Sequence, residues 1–480
     1  MNEIVKDDGL TFKVLEQKIF YWICLLGVEI TRSILEKKDR ELMEQRDKKK
    51  YRDKGKRTTT VKTVYGEVTY DRHVYKTVGE DGKKTYVYLL DEAMQMERVG
   101  LISANLAEKI ADAVTEMPYR VAAETVTQTT GQRISAGGAW RLIQELGERV
   151  RKEELGMVAR MEAGETEGTM AVPVLFEEMD GIYIRTQGPH HEKRPMQEVK
   201  VATTYEGWDA EGEQTGRASL VGKRVIAGIE EASVFHEKRE AALQARYDVE
   251  EIGQRVLNGD GGSWIKEEND PETIVQLDPF HLHKAIREHI FSTEARAEIE
   301  KRLAANDPDS ALEYIGIYAD SVDMGEPEDK TAENAKALVQ YLSNNKAGLV
   351  PWKDQCKKVP EPPKGIVYKN MGVQENQNCT VITMRMKHRR MRWSKGGGDS
   401  MAKALYRKEN GELHKTINDR PEEYVFNGAI QKVAEVILSA ASAPKKDGIG
   451  SPYASLWSVH MPILDAALTE GRKVFRRMAE

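Results

Sequence analysis

The chain has 480 residues, 40% of them hydrophobic and 31% charged, with a formal net charge of −6. That length implies several domains, and the near balance of charge excludes reading a nucleic-acid partner from the total, so any such partner must be sought in local basic segments. Cys24, Cys356 and Cys379 are scattered and contain no Cys-x-x-Cys pair, which excludes a disulfide framework and a thiolate zinc site and points to a reducing cytoplasm.

Residues 10–45 read as one long helix. Leu10, Val14, Ile19, Ile23, Leu26, Ile30 and Ile34 recur at roughly helical spacing with no proline between them, as suits a packing or dimerisation helix. Its apolar run, Ile19 to Val28, is shorter than the roughly 20 residues of a membrane span, and the polar start at Asn2 and Glu3 is not that of a signal peptide. No membrane or export role is expected. From Arg46 to Arg57 eight of twelve residues are Lys or Arg. That segment closes an N-terminal region (1–57) as either a solvated linker or a phosphate-contacting arm. Thr58 to Tyr65 and Glu67 to Tyr70 alternate about Gly66, and Lys83 to Leu89 adds a third such run, so 58–100 reads as a small β-rich region.

Residues 101–155 turn helical. Helices are expected over 102–115, from Pro118 to Thr130, and from a Ser135 cap to Val150, with Gly131 breaking the second. Their spacing is that of a helix-turn-helix, whose second helix enters the major groove, with Arg133 and Arg141 as candidate DNA contacts. Three ordinary packed helices would read the same, and Gly137 and Gly138 weaken the start of the last. The charged, glycine-containing stretch 151–169 reads as a linker. Beyond it come strand-like runs at Ala171 to Phe176, Ile182 to Arg185, Val199 to Tyr205 and Val221 to Ile229. A helix from Val234 to Leu257 and two short strands ending at Asp260 and Asp278 follow. Strands followed by alternating helix and strand predict an α/β fold with a mixed sheet. Residues 282–345 look helical, 346–370 form a proline-containing loop, and another helix opens near Glu375. The tail, 401–480, carries helices around 428–441 and 462–479.

Two acids stand in unusual company. Asp180-Gly181 sits between apolar runs, which a hairpin turn alone would explain. In Asn258-Gly259-Asp260-Gly261-Gly262 the glycines leave the backbone open around one carboxylate at a strand end. Convergent carboxylates are what two divalent cations need to clamp the attacking and leaving oxygens of a phosphodiester.

Taken in order, the motifs resemble bacterial insertion-sequence transposases of the ISLre type, relatives of the Mutator-like DDE enzymes. The matching segments are Asp180-Gly181, Asn258 to Lys266, Asp278-Pro279-Phe280-His281, Gly372 to Asn376 and Arg385 to Ser394, and the resemblance runs from about residue 59 to about 405. It implies an RNase H-like core (165–285 with 366–400) interrupted by a helical insertion (286–365). It makes Asp180, Asp260 and Glu375 the catalytic and metal-binding acids, holding two Mg2+ or Mn2+ ions. It also brings in the Asp-x-x-His pair Asp278 and His281 as site-proximal. On residues alone Asp278 is equally a helix cap beside an incidental histidine, and Asp399 rivals Glu375 as third acid. Arg385 to Lys395 holds six Lys or Arg. Arg385, Lys387, Arg389, Arg390 and Arg392 are therefore expected on the DNA backbone, with Trp393 placed to stack on a displaced base. His190 and His191 look like exposed loop residues rather than a metal pair.

The implied function is a DDE transposase that binds terminal inverted repeats and performs metal-dependent strand cleavage and strand transfer. Its partners would be double-stranded terminal and target DNA and at least one further copy of the chain, in the cytoplasm and on the nucleoid when bound. A RuvC-like nuclease that does not join ends and a catalytically silent DNA-binding derivative are the alternatives.

Overall fold

A computed structural model describes residues 11–79, 82–94, 96, 98–99, 101–187, 196–266, 272–322 and 331–418. His190, His191 and the helices expected at 428–441 and 462–479 lie outside the described residues. The described residues form two compact units, 11–142 with 417–418 and 143–416. The boundary at 142 and the one expected at 155 both lie within the helix Ala136–Glu162.

In the first unit α1 (Phe12–Gln45) is capped by Thr11 and buries Leu35 and Asp39. Asp39 accepts the His73 N–H at 3.0 Å and lies 2.6 Å from its Nδ1, tying α1 to the sheet. β1 (Arg52–Thr63) and β2 (Gly66–Val78) form a long antiparallel hairpin whose register ends at Thr63 opposite Gly66. With β3 (Lys84–Val87), β4 (Arg98–Val99) and β5 (Ile102–Ser103) they make a sheet of order β3-β2-β1-β5-β4. From Arg52 on, the basic stretch is a strand and not a linker. Its backbone is paired to β2 and its side chains are mostly exposed. Three helices follow: α2 (Ala104–Glu116), α3 (Tyr119–Thr129) and α4 (Ala136–Glu162). Ser135 caps α4 as expected, accepting the Gly138 N–H at 3.0 Å. At Gly131 the chain passes so close that a Cβ would stand 2.0 Å from Tyr65 O.

α4 runs through most of the segment expected to be a linker. Leu146, Val150, Glu154 and Val158 recur every fourth residue and are all buried, and that stripe outweighs the helix-weakening Gly156.

The second unit is built on strands in the chain order β6 (Met170–Val172), β7 (Leu175–Ile184), β8 (Gln197–Tyr205), β9 (Gly207–Asp209), β10 (Leu220–Val221), β11 (Arg224–Gly228), β12 (Tyr247–Ile252), β13 (Arg255–Gly259), β14 (Ile274–Leu277) and β15 (Ile366–Val367). The central sheet has the order β11-β8-β7-β13-β14. Its first three strands form an antiparallel meander, while β13 runs parallel to both β7 and β14. Contrary to the hairpin reading, β7 passes straight through Asp180-Gly181, which pair with Val201 and Lys200. A Cβ at Gly181 would meet the end of the Glu198 side chain at 2.1 Å, a flexible group that could swing aside.

The helix expected over 234–257 ends early, as α5 (Ala232–Gln244). The Gln244 and Arg246 carbonyls accept N–H groups of Gly168 and Met170, which turns the chain into β12 and then β13. Four helices, α6 (Pro279–His289), α7 (Thr293–Ala304), α8 (Pro308–Val322) and α9 (Thr331–Asn344), pack around Ile286, Ile299, Ile315 and Leu338. A helical segment over 374–386 follows as α10, with a π turn at Asn378–Thr383. α11 (Lys395–Glu409) and α12 (Leu413–Ile417) complete the described chain. Among the described residues no helix is long and apolar enough to cross a membrane.

Candidate metal centre

Three aspartates stand at one level of the central sheet. Gly259 of β13 pairs with Met179 of β7 on one side and Leu277 of β14 on the other. The next residue on each strand is an aspartate: Asp180, Asp260 and Asp278. The Asp278 N–H donates to Gly259 O at 2.8 Å and closes the row. Equal register in parallel strands sets such residues side by side at the carboxyl edge, where α/β sheets hold their sites.

Each acid is fixed differently. Asp180 is buried; its Oδ1 accepts the Gly181 N–H at 2.7 Å and its Oδ2 accepts Asn378 Nδ2 at 2.6 Å. Asp260 lies in the glycine loop and accepts the Gly262 N–H at 2.8 Å. α9 holds that loop: Tyr341 Oη donates to Asp260 O at 2.7 Å, and Lys266 Nζ donates to Asn344 O at 2.9 Å. Asp278 caps α6, accepting the His281 N–H at 3.2 Å with Pro279 behind it. The cap reading of Asp278 is met, and the capped turn brings His281 Nε2 to 3.7 Å from Asp180 Oδ2.

Glu375 enters from the first turn of α10. Asp180, His281 and Glu375 each bring a potential ligand atom within 4.8 Å of the other two. Asp260 stands outside that tight group but feels it. Burial pushes its carboxyl pKa up, with the charges of Asp180 and Asp278 adding, while the Gly262 N–H and His281 pull it down. The contact with Asp180 holds the His281 pKa above the ordinary histidine value, helped by the charges of Asp278 and Asp260 and opposed by burial. Carboxylate oxygens with one imidazole nitrogen form a donor set that fits a divalent cation. The oxygens suit Mg2+ or Mn2+, and the nitrogen shifts the preference toward Mn2+.

Beneath the acids lies a residue that sequence reasoning passed over. Glu178 shares the Asp180 face of β7 and is fully buried. It accepts Tyr205 Oη at 2.6 Å, Asn258 Nδ2 at 2.9 Å, and the backbone N–H groups of Gly372 (3.1 Å), Val373 (3.0 Å) and Gln374 (3.2 Å). Asn258 also donates to Asp278 Oδ1 at 2.9 Å. The available signal was its position: an acid two residues before Asp180 on a strand falls on the same inward face.

The remaining expectations divide. Asp399 is no member of the acid group. It accepts Arg151 Nη1 at 2.8 Å and the Ile229 N–H at 2.9 Å, which leaves Glu375 as the third acid that geometry brings in. Trp393 is only 6% exposed and donates its indole N–H to Met386 O at 2.9 Å, so it has no face to offer a base. Arg385 is likewise buried, its guanidinium 5.3 Å from the centre of the Trp393 ring. Both readings are corrected: the two residues pack against each other instead of meeting DNA. Lys387, Arg390 and Arg392 are exposed, as are Arg133 and Arg141 in the first unit. The Arg389 side chain lies outside the described residues. A cavity of about 860 Å³, lined by Ala202, Thr204, Arg239 and Tyr247, opens on the opposite face of the sheet and includes none of the clustered acids.

A family model described as "Uncharacterised protein family (UPF0236)" matches residues 5–420. The chain belongs to that family. A UPF0236 protein of Caldanaerobacter subterraneus is 24% identical over 402 residues, covering 81% of this chain and 76% of the relative. A second from the same organism is 25% identical over 401 residues, covering 81% and 77%. A Streptococcus gallolyticus relative, described as a UPF0236 protein in the vanSb 3′ region, is 24% identical over 357 residues and covers 72% of each chain. Among solved structures, the Drosophila P element transposase strand transfer complex aligns with a TM-score of 0.21 and 11% identity, covering 72% of this UPF0236 chain and 88% of that one. At that score the likeness says nothing about fold or activity.

Proposed function

We propose that this UPF0236 protein is a DDE-type transposase. The observation that carries the reading is the convergence of Asp180, Glu375 and His281, with Asp260 beside them, at one edge of a sheet ordered β11-β8-β7-β13-β14. An antiparallel meander continued by two parallel strands, with a long helical insertion before the helix of the last acid, is what an RNase H-like transposase core requires.

In this reading Asp180, Asp260 and Glu375, joined by His281, would hold two Mg2+ or Mn2+ ions. Such ions, when bound, activate water and then a 3′-hydroxyl as nucleophiles at phosphorus. The chain's own residues do the rest. Asn378 fixes the Asp180 carboxylate, the Asp278 cap aims His281, and Tyr341 steadies the peptide of Asp260. Lys387, Arg390 and Arg392 contact the DNA backbone near the acids. α2, α3 and the start of α4 serve as the helix-turn-helix, with Arg133 and Arg141 toward the terminal repeats. Bringing two DNA ends together calls for at least a dimer, and α1 leaves Ile19, Ile23, Ile30 and Ile34 exposed on its surface. The setting is the cytoplasm, on nucleoid DNA.

The test uses duplexes carrying the DNA that flanks the protein's own coding sequence, with Mg2+ or Mn2+. Asp180→Ala and Asp260→Ala should each abolish cleavage while binding the duplex as the wild type does. Full cleavage by the Asp260→Ala protein would sink the assignment. A pre-cut 3′-hydroxyl end that is never joined to target would turn the reading into a hydrolytic nuclease.

A further inference from the structure

We infer that Glu178 is a positioning residue: its buried carboxylate seats the helix of Glu375 against the strand of Asp180. The inference rests on the metal-centre reading for its consequence, but its geometry stands alone.

A carboxylate with no exposure is an expensive choice for a strand interior, and it persists only where donors surround it. The donors here are informative. Three are consecutive backbone N–H groups, Gly372, Val373 and Gln374, at the start of α10. The first N–H groups of any helix lack intrahelical partners and favour an anion. Glu178 therefore caps α10 from a distant strand, and the residue after the last captured N–H is Glu375.

A second pin lies one turn on. Asn378 donates to Asp180, so strand and helix are joined at 178 with 372–374 and again at 180 with 378. The fourth donor, Asn258, lies two residues before Asp260 and also holds Asp278, the cap of the His281 helix. Through its partners one carboxylate touches every segment that supplies a candidate ligand: β7, β13, the start of α6 and α10. None of its partners is a cation, so the clamp adds no positive charge beside the acids.

A merely structural Glu178 would lower stability and leave ion binding alone. The experiment measures Mn2+ affinity by electron paramagnetic resonance, well below the melting midpoint, and amide exchange across 371–379. Glu178→Gln puts a donor where an acceptor is needed, and should weaken Mn2+ binding about ten- to a hundredfold while 372–374 lose protection. Tyr205→Phe removes one donor at constant volume and should weaken it about threefold, which keeps the question open to test if Glu178→Gln does not fold. Leu303→Ala, in the core of the helical insertion, is the control that lowers stability and leaves Mn2+ affinity unchanged.

Wild-type affinity together with intact protection in Glu178→Gln overturns the inference. So does a loss in Leu303→Ala equal to that in the Glu178 and Tyr205 variants. If the wild type binds no Mn2+, the metal-centre reading falls, and exchange across 371–379 alone decides whether Glu178 seats the helix.

Discussion

Two of the buried carboxylates in the second unit are solvated in opposite ways. Glu178, under the acid row, is held by a phenol, a side-chain amide and three backbone N–H groups. Glu154 of α4 is held by cations, with Lys403 at 2.8 Å and Lys238 at 3.1 Å, and by Tyr406 at 2.7 Å. Both lysines also pair with Glu230, so α4, α5 and α11 share one ionic knot. The difference follows from what lies nearby. A lysine beneath Asp180 and Glu375 would oppose any cation arriving there, whereas neutral dipoles hold a carboxylate without altering the charge of the site. Among helices that carry none of the clustered acids that constraint lapses, and ion pairs can fasten them.

The strongest way to break this contrast is at the knot. Glu154→Ala leaves two buried ammonium groups short of a partner and should cost about 3–5 kcal/mol in denaturant melts, with Mn2+ affinity unchanged below the midpoint. A large loss of Mn2+ binding would show that the two centres are not separate in role.

A pH titration sharpens it. Burial raises the Glu178 pKa despite its donors, so the folded state binds the proton more tightly than the unfolded chain. Stability should then fall as pH rises from the unfolded glutamate value through the higher folded one, and Glu178→Gln should remove that slope. Lys403 is also raised, because attraction to Glu154, Asp399 and Glu230 outweighs its burial. Its contribution is complete below the ordinary lysine value and lost as pH rises through the folded one, so the two centres should appear in separate acid and alkaline windows of the melts.

Smaller effects test the neutral members. Tyr406→Phe removes a donor that Glu154 can partly do without, and should cost about 1 kcal/mol in the same melts. Trp393→Phe should cost a similar amount and leave DNA affinity as it was, since the indole N–H serves Met386. Arg392→Ala, a charge that belongs to neither centre, should reduce the slope of DNA affinity against salt by about one ion and leave stability nearly unchanged. A larger fall for Trp393→Phe than for Arg392→Ala in DNA binding would restore the stacking role.

Much of the site was legible because its acids sit in local signals. Glycines around Asp260 announce an open strand end, Asp278-Pro279 announces a helix start, and the motif order points to Glu375. What was not legible depends on distant partners. Trp393 looks like a stacking residue until its N–H is found satisfied by Met386 and its backbone by Arg185. The 151–162 stretch looks like a linker because its charges are visible in sequence, while the burial of Glu154 against Lys403 is not. Glu178 was hidden by its neighbour Glu177, which faces the other way and pairs with Arg255 at 2.9 Å. Two adjacent acids in a strand read as a polar patch unless their faces are separated.

The row of aspartates also bears on which length changes the gene tolerates. Asp180, Asp260 and Asp278 each come one position after a paired residue, and adding or removing one residue in a strand turns its side chains to the other face. A single-codon deletion within 175–179 should therefore displace Asp180 from the row while Asp260 and Asp278 keep their places. The same deletion at the α7–α8 turn, around 305–307, should pass almost unnoticed at the acid cluster.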